Sequence, residues 1–231
     1  MNKSLGLYGA LLLILQGVSG CGTPAPSTKV VQQPTNAAPA QDEAPAKFLV
    51  VAYGDSLYAG YRLGPKEGFA PQLETALRKK GLSVRVHNAG VSGDTTDAGK
   101  ARLSFLLNGL GRNPDLFVLG LGGNDMLRGI SPEQTRANMT AILDELKKRK
   151  IKVVMTGILS SPNMGPDYAA AFNPIFPTLA KHYGAPFYPF FLEGIVTQPG
   201  MMLDDGIHPN AKGVARAVQG IEPLVLGVLE Q

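Results

Sequence analysis

Ser56, Asp205 and His208 have the residue types and spacing for nucleophilic chemistry. A serine hydroxyl is a poor nucleophile until a base takes its proton, and a histidine can do so at neutral pH. That histidine needs its other ring nitrogen held by an acceptor. Asp205 stands three residues before His208, within one turn, so its carboxylate can reach that nitrogen. Attack on a carbonyl creates an oxyanion, which needs fixed donors, and the Ser56 and Gly93 amides with the Asn124 side chain can supply them. Glycine lets a backbone approach a reacting carbon closely. Together these are the parts of an acyl-transfer site.

The elements that must position them are strands and the loops that follow. Lys47 to Tyr53 is an apolar run with β-branched residues, the pattern of a strand buried on both faces, and it ends in Gly54-Asp55-Ser56. Leu82 to His87 alternates as a second strand and leads into the glycine-rich loop Asn88 to Thr96. Asp115 to Leu121 is a third, ending in Gly122-Gly123-Asn124-Asp125; Ile151 to Thr156 is a fourth and Pro186 to Tyr188 a short fifth. Between them lie helix-period segments. Phe69 to Lys80 is stopped by Gly81, a second is capped by Asp94 or Thr95, and a third starts at Ser131-Pro132 and runs to about Lys148. Tyr168 to Tyr183 is helix-like, with a kink or late start imposed by Pro174 and Pro177, and Ala211 to Leu229 is an amphipathic helix broken near Pro223. Alternation of this kind predicts an α/β fold with a parallel sheet, whose strand ends converge on one side.

With 231 residues and 44% apolar content, the chain can build one well-buried domain. A net charge of +4 is mild, and the densest basic run, Lys147 to Lys150, closes a predicted helix where positive charge suits the dipole. Neither aromatic interleaving nor a reader motif accompanies it, so no nucleic-acid partner is expected. One cysteine allows no intrachain disulfide, and three dispersed histidines suggest no metal cluster. No metal or other cofactor is expected.

The chain begins with an export pattern: Lys3, the apolar run Leu5 to Leu15, then Val18-Ser19-Gly20-Cys21. The approach to Cys21 resembles the lipobox of bacterial lipoproteins, which implies cleavage before Cys21 and lipid attachment to it, hence a membrane anchor. Residues 22 to 46 are rich in Pro, Ala, Thr and Gln and read as an extended tether. The expected division is therefore a signal peptide over 1–20, a lipidated cysteine and tether over 21–46, and a hydrolase domain over 47–231. The expected location is the cell envelope or periplasm, with the protein exported and lipid-anchored.

Four blocks carry a resemblance: Gly54-Asp55-Ser56-Leu57, Ser92-Gly93-Asp94-Thr95, Gly122-Gly123-Asn124-Asp125 and Asp205-Gly206-Ile207-His208-Pro209-Asn210. In this order they resemble the blocks of the GDSL or SGNH hydrolases, and the sequence between them resembles the bacterial thioesterase I, protease I and lysophospholipase (arylesterase) subgroup. The resemblance implies a flavodoxin-like three-layer α/β/α sandwich with a central parallel five-stranded sheet. It implies that Ser56 is the nucleophile, His208 the base and Asp205 its orienting acid, with Ser56, Gly93 and Asn124 forming the oxyanion hole. Leu57, Asp94, Met164 and Ile207 are the expected substrate contacts, and the segments Ser160 to Asp167 and Phe190 to Leu203 are expected to shape the acyl site. Asp55 and Asp125 read as loop-fixing acceptors rather than acids. The expected activity is hydrolysis of acyl or aryl esters or lysophospholipids, with thioesters as a further class, by a monomeric enzyme. A carbohydrate O-deacetylase and a catalytically silent envelope-binding module are the alternatives.

Overall fold

A computed structural model of the chain describes residues 46–231. The expected signal peptide, lipidated Cys21 and tether up to residue 45 lie outside the described residues. Five short runs form one sheet: β1 (Phe48–Gly54), β2 (Val84–Gly90), β3 (Leu116–Gly120), β4 (Lys152–Thr156) and β5 (Phe187–Tyr188). Their order is β2-β1-β3-β4-β5 and every neighbouring pair is parallel. This is the flavodoxin-like order, in which the chain moves to one side of β1 and then crosses to the other. The loops after β1 and β3 flank that reversal, where open α/β sheets gather their ligands.

Alternation along each strand divides the core in two. Val50, Ala52, Leu116, Val118 and Val154 face one helical layer, formed by α2 (Phe69–Lys79) and α8 (Ala211–Leu229). Val51, Tyr53, Phe117, Leu119 and Met155 face the other, formed by α3 (Thr96–Gly109), α5 (Pro132–Lys148) and α7 (Ile175–Tyr183). The expected α/β/α sandwich is borne out.

The helix starts follow their side chains. Thr95, rather than Asp94, caps α3 by accepting from the Ala98 N–H, and Ser131 caps α5 by accepting from Gln134. The expected kink near Pro174 is a full break, with α6 (Pro166–Phe172) ending before α7 begins. Two expectations change. The second strand is shifted towards the C-terminus, because Asn88, Ala89 and Gly90 pair in register with Ala52, Tyr53 and Gly54 although their types suggest a loop. The last helix runs through Pro223 without a break. The missing N–H removes one helix bond, but Val218 and Ile221 before it and Val225 and Val228 after it are all buried in the same core, so packing on both sides keeps the axis continuous.

Candidate active site

The carboxyl end of the sheet is unusually close-packed. Gly54 pairs with both Gly90 and Gly120, so three adjacent strands end in a row of glycines. A Cβ on Gly90 would stand 2.2 Å from the Ala59 nitrogen, and one on Gly120 would stand 2.5 Å from the Thr156 hydroxyl and from the Tyr58 ring. These glycines let the short helix α1 (Ser56–Ala59) lie directly over the strand ends. Tyr58 seals it there, its hydroxyl 2.8 Å from that of Thr156 and its ring against Phe69 and Phe191.

Asp55 caps α1 by accepting from the Leu57 N–H at 3.0 Å, which turns Ser56 out of β1 and into the first helical position. Burial pushes the Asp55 carboxyl from its ordinary 3.8 up to about 6, against the opposing pull of the Leu57 hydrogen bond. The Ser56 hydroxyl lies 2.9 Å from Nε2 of His208. On the other edge of the ring, Nδ1 of His208 lies 2.9 Å from Oδ2 of Asp205. The second carboxylate oxygen accepts from the backbone N–H groups of Ile207 and His208, at 2.9 and 3.0 Å. The His208 N–H, the Ile207 N–H and the imidazole hold the Asp205 carboxyl down at about 2. An ionised carboxylate only accepts, so Nδ1 carries the ring proton and Nε2 is left to accept from Ser56.

The loop after β2 and the short helix α4 (Gly123–Leu127) complete the surroundings. Asn124 donates from Nδ2 to the Asp94 carbonyl at 3.0 Å, and Arg128 donates to the Gly93 carbonyl at 2.7 Å. Gly93 has a φ of +87°, a conformation glycine adopts readily. The N–H groups of Ser56 and Gly93 have no acceptor among the described residues. Asp125 is wholly buried and accepts from the Thr96 N–H and from the hydroxyls of Thr96 and Thr135, which pins α4 to α3 and α5.

Beside the serine opens a cleft of about 500 Å³. Ser56, Asn124 and His208 line it, and its walls are mainly apolar, including Leu57, Leu127, Ile158, Phe190, Val196 and Ile207.

The chain belongs to the GDSL-like lipase/acylhydrolase family. The family model matches residues 52–216, which include all four sequence blocks. An arylesterase of Vibrio mimicus is 41% identical over 171 residues, covering 74% of this chain and 84% of the relative. The thioesterase 1/protease 1/lysophospholipase L1 of Escherichia coli K12 is 39% identical over 167 residues, covering 72% and 78% respectively. Among solved structures, AlinE4, an esterase of the SGNH-hydrolase family, superposes with a TM-score of 0.67 at 44% identity, covering 79% of this chain and 96% of its own.

This family member brings Ser56, His208 and Asp205 into direct contact, with Asn124 at the same cleft. Leu57 and Ile207 stand in the cleft wall; two other expected substrate contacts do not. The Asp94 carboxylate is turned onto Nε of Arg102, which also donates to the Gly54 carbonyl at 3.2 Å and lies over the Tyr53 ring. Asp94 thus ties the Gly93 loop to the end of β1. Met164 packs against the core on the α5 and α7 side of the sheet, outside the cleft wall. Of the segments expected to shape the acyl site, Ser160, Ser161 and Pro162 and, farther on, Phe190, Leu192 and Val196 line the cleft. Met126, Leu127, Ile158 and Leu159 were not anticipated as lining. For Leu127 a signal exists, since it sits about one turn beyond Asn124 on α4. Tyr61 was not anticipated either: its ring centroid stands 4.4 Å from that of His208.

Proposed function

We propose that this chain is a serine esterase that hydrolyses carboxylic esters through an acyl-enzyme on Ser56. His208 takes the serine proton as Oγ attacks the carbonyl carbon, and Asp205 stabilises the imidazolium that forms. The oxyanion receives the Ser56 and Gly93 amides and the Asn124 Nδ2, which keeps a second hydrogen beyond the one given to Asp94. The imidazolium then protonates the departing alkoxide, breaking the ester bond. Water, activated by the same histidine, releases the acid and regenerates the serine. The observation that carries this reading is the unbroken Ser56–His208–Asp205 relay, with both contacts at 2.9 Å, at the edge of an apolar cleft.

The apolar walls suit an acyl or aryl group, and acyl or aryl esters and lysophospholipids are the substrates we assign, with thioesters as a lesser class. The names of the relatives, an arylesterase and a thioesterase/lysophospholipase, support this class. A sugar ester would find few polar partners on these walls. A monomer is sufficient for this chemistry, because the relay is complete within one chain.

We further read residues 1–20 as an export signal and Cys21 as a lipidated anchor, with 21–46 as the tether that lets the hydrolase domain of 47–231 work in the cell envelope. The residue types around Cys21 support this. Palmitate labelling that is lost in Cys21→Ser is the expected result, and unchanged labelling refutes the anchor.

The test of the enzyme reading is a fluorophosphonate probe followed by intact mass. A single adduct that disappears in Ser56→Ala is expected. A folded protein that takes no adduct beside a labelled control enzyme overturns the reading in favour of a silent binding module.

A further inference from the structure

Tyr61 touches the relay without lining the cleft. Its ring plane is inclined 37° to the imidazole at a centroid distance of 4.4 Å. The residue remains 41% exposed, so burial of its own surface is a weak reason for it to sit there. Its backbone supplies a stronger one. The Tyr61 N–H donates to the Ser56 carbonyl at 3.3 Å, continuing the turn begun by α1. On either side stand Gly60 and Arg62, with φ of +79° and +57°. Arg62 is one of two non-glycine residues with positive φ among the described residues, and the other, Lys150, simply follows the end of α5. A side chain in that region carries strain, and such strain persists where the surroundings hold it.

The imidazole needs a partner on this side. His208 belongs to a loop whose preceding residues, Asp204 to Ile207, are exposed. That loop fixes one ring edge through Asp205 and leaves the ring free to tip away from Ser56. The His208 side chain is nonetheless only 16% exposed, and Tyr61 covers it from the α1 side. Asp205 holds the imidazole from its own loop and Ser56 meets it from α1; Tyr61 makes the aromatic contact.

We propose that Tyr61 is a positioning residue of the esterase, whose ring holds His208 between Asp205 and Ser56 and stabilises the imidazolium formed as Ser56 attacks. The inference rests on His208 being the base. An aromatic face attracts a cation through its quadrupole, and the attraction appears only once the ring is charged, so it favours the attacking state over the resting one. Because Tyr61 lies off the cleft wall, it acts on turnover rather than on acyl binding.

The experiment compares Tyr61→Phe, Tyr61→Leu and Tyr61→Ala in the full chain, with kcat and KM measured separately on a short-chain p-nitrophenyl ester and folding checked by thermal melting. Loss of the aromatic ring in the Leu and Ala variants should lower kcat by about 10- to 100-fold and leave KM within about 2-fold. Phe should retain kcat within about 3-fold, because the ring and its face remain. Leu keeps most of the bulk, so a low kcat there with rescue by Phe separates the aromatic contact from space filling. If Ala does not fold, the Phe and Leu pair decides. Wild-type kcat in Leu, or equal losses in Phe and Leu, overturns the proposal. Failure of the underlying reading shows separately, as turnover that survives His208→Ala.

Discussion

At the scale of single residues the protein is a relay with little redundancy. Ser56→Ala removes the proposed nucleophile and should cost several orders of magnitude in kcat, measured on an aryl ester. Asn124→Ala removes one proposed oxyanion donor and should lower kcat by about 10²–10³-fold with a smaller effect on KM. A loss confined to KM would mean that Asn124 serves ground-state binding instead. Chemical type made these residues readable: a serine after an apolar run, an Asp-x-x-His pair and an amide in a glycine-rich turn each have few other uses in combination. Tyr61 had no such signature. A tyrosine in a Gly-Tyr-Arg loop is ordinary, and only the approach of residues 61 and 208 across the fold gives it a role. Asp94 shows the reverse case, since it stands in a recognisable block yet turns its carboxylate onto Arg102.

Elements position this relay by close approach more than by specific bonds. The glycine row at the ends of β1, β2 and β3 sets how low α1 can sit. Gly90→Ala would place a methyl 2.2 Å from the Ala59 backbone nitrogen, and backbone cannot rotate out of the way. The expected outcome is a loss of roughly 1–3 kcal/mol in stability, together with a fall in kcat in the protein that remains folded, as α1 carries Ser56 away from His208. Denaturant melts and active-site titration measure the two effects separately. Pro223→Ala tests the other kind of element. The helix already runs straight through the proline, so restoring the missing N–H should raise stability by about 1–2 kcal/mol, after allowance for the freer unfolded chain. No gain would show that the turn at Pro223 is held by packing alone. Sequence periodicity located most of these elements. It misplaced the second strand because Asn88-Ala89-Gly90 has loop-like types, and in-register pairing with β1 outweighs those preferences.

For the whole molecule, pH-dependent stability follows from where the two acids of the site sit. Asp55 is buried at the end of a central strand, and its folded-state value is raised to about 6. A raised carboxyl favours the fold fully below its ordinary range, and that contribution is lost as pH rises through about 6. Asp205 has the opposite sign: with its carboxyl held down at about 2, its contribution is present above the ordinary carboxylate range and lost as pH falls through about 2. Asp55→Asn keeps an acceptor for Leu57 without the charge. Its melting temperature relative to wild type should therefore be higher at pH 8 than at pH 5. A difference that does not vary with pH would remove the buried charge as the cause. Among the described residues no helix is long and apolar enough to cross a membrane, and the anchoring proposal rests on residues 1–21 alone.

Composition, alternation of apolar runs with helix-period segments, and four short blocks determined the fold class and the chemistry, because both depend on residue type and local spacing. An α/β fold with a parallel sheet and an acyl-transfer site were legible on that basis, and the resemblance of the four blocks implied the three-layer sandwich and the esterase class. Tertiary structure decided what depends on distance between remote segments: that Met164 faces the core, that Ile158 walls the cleft beside Ser56, and that Tyr61 meets His208. Such contacts join positions as far apart as 147 residues, a separation over which no local period or propensity operates; parallel pairing and the glycine row at the strand ends bring them together.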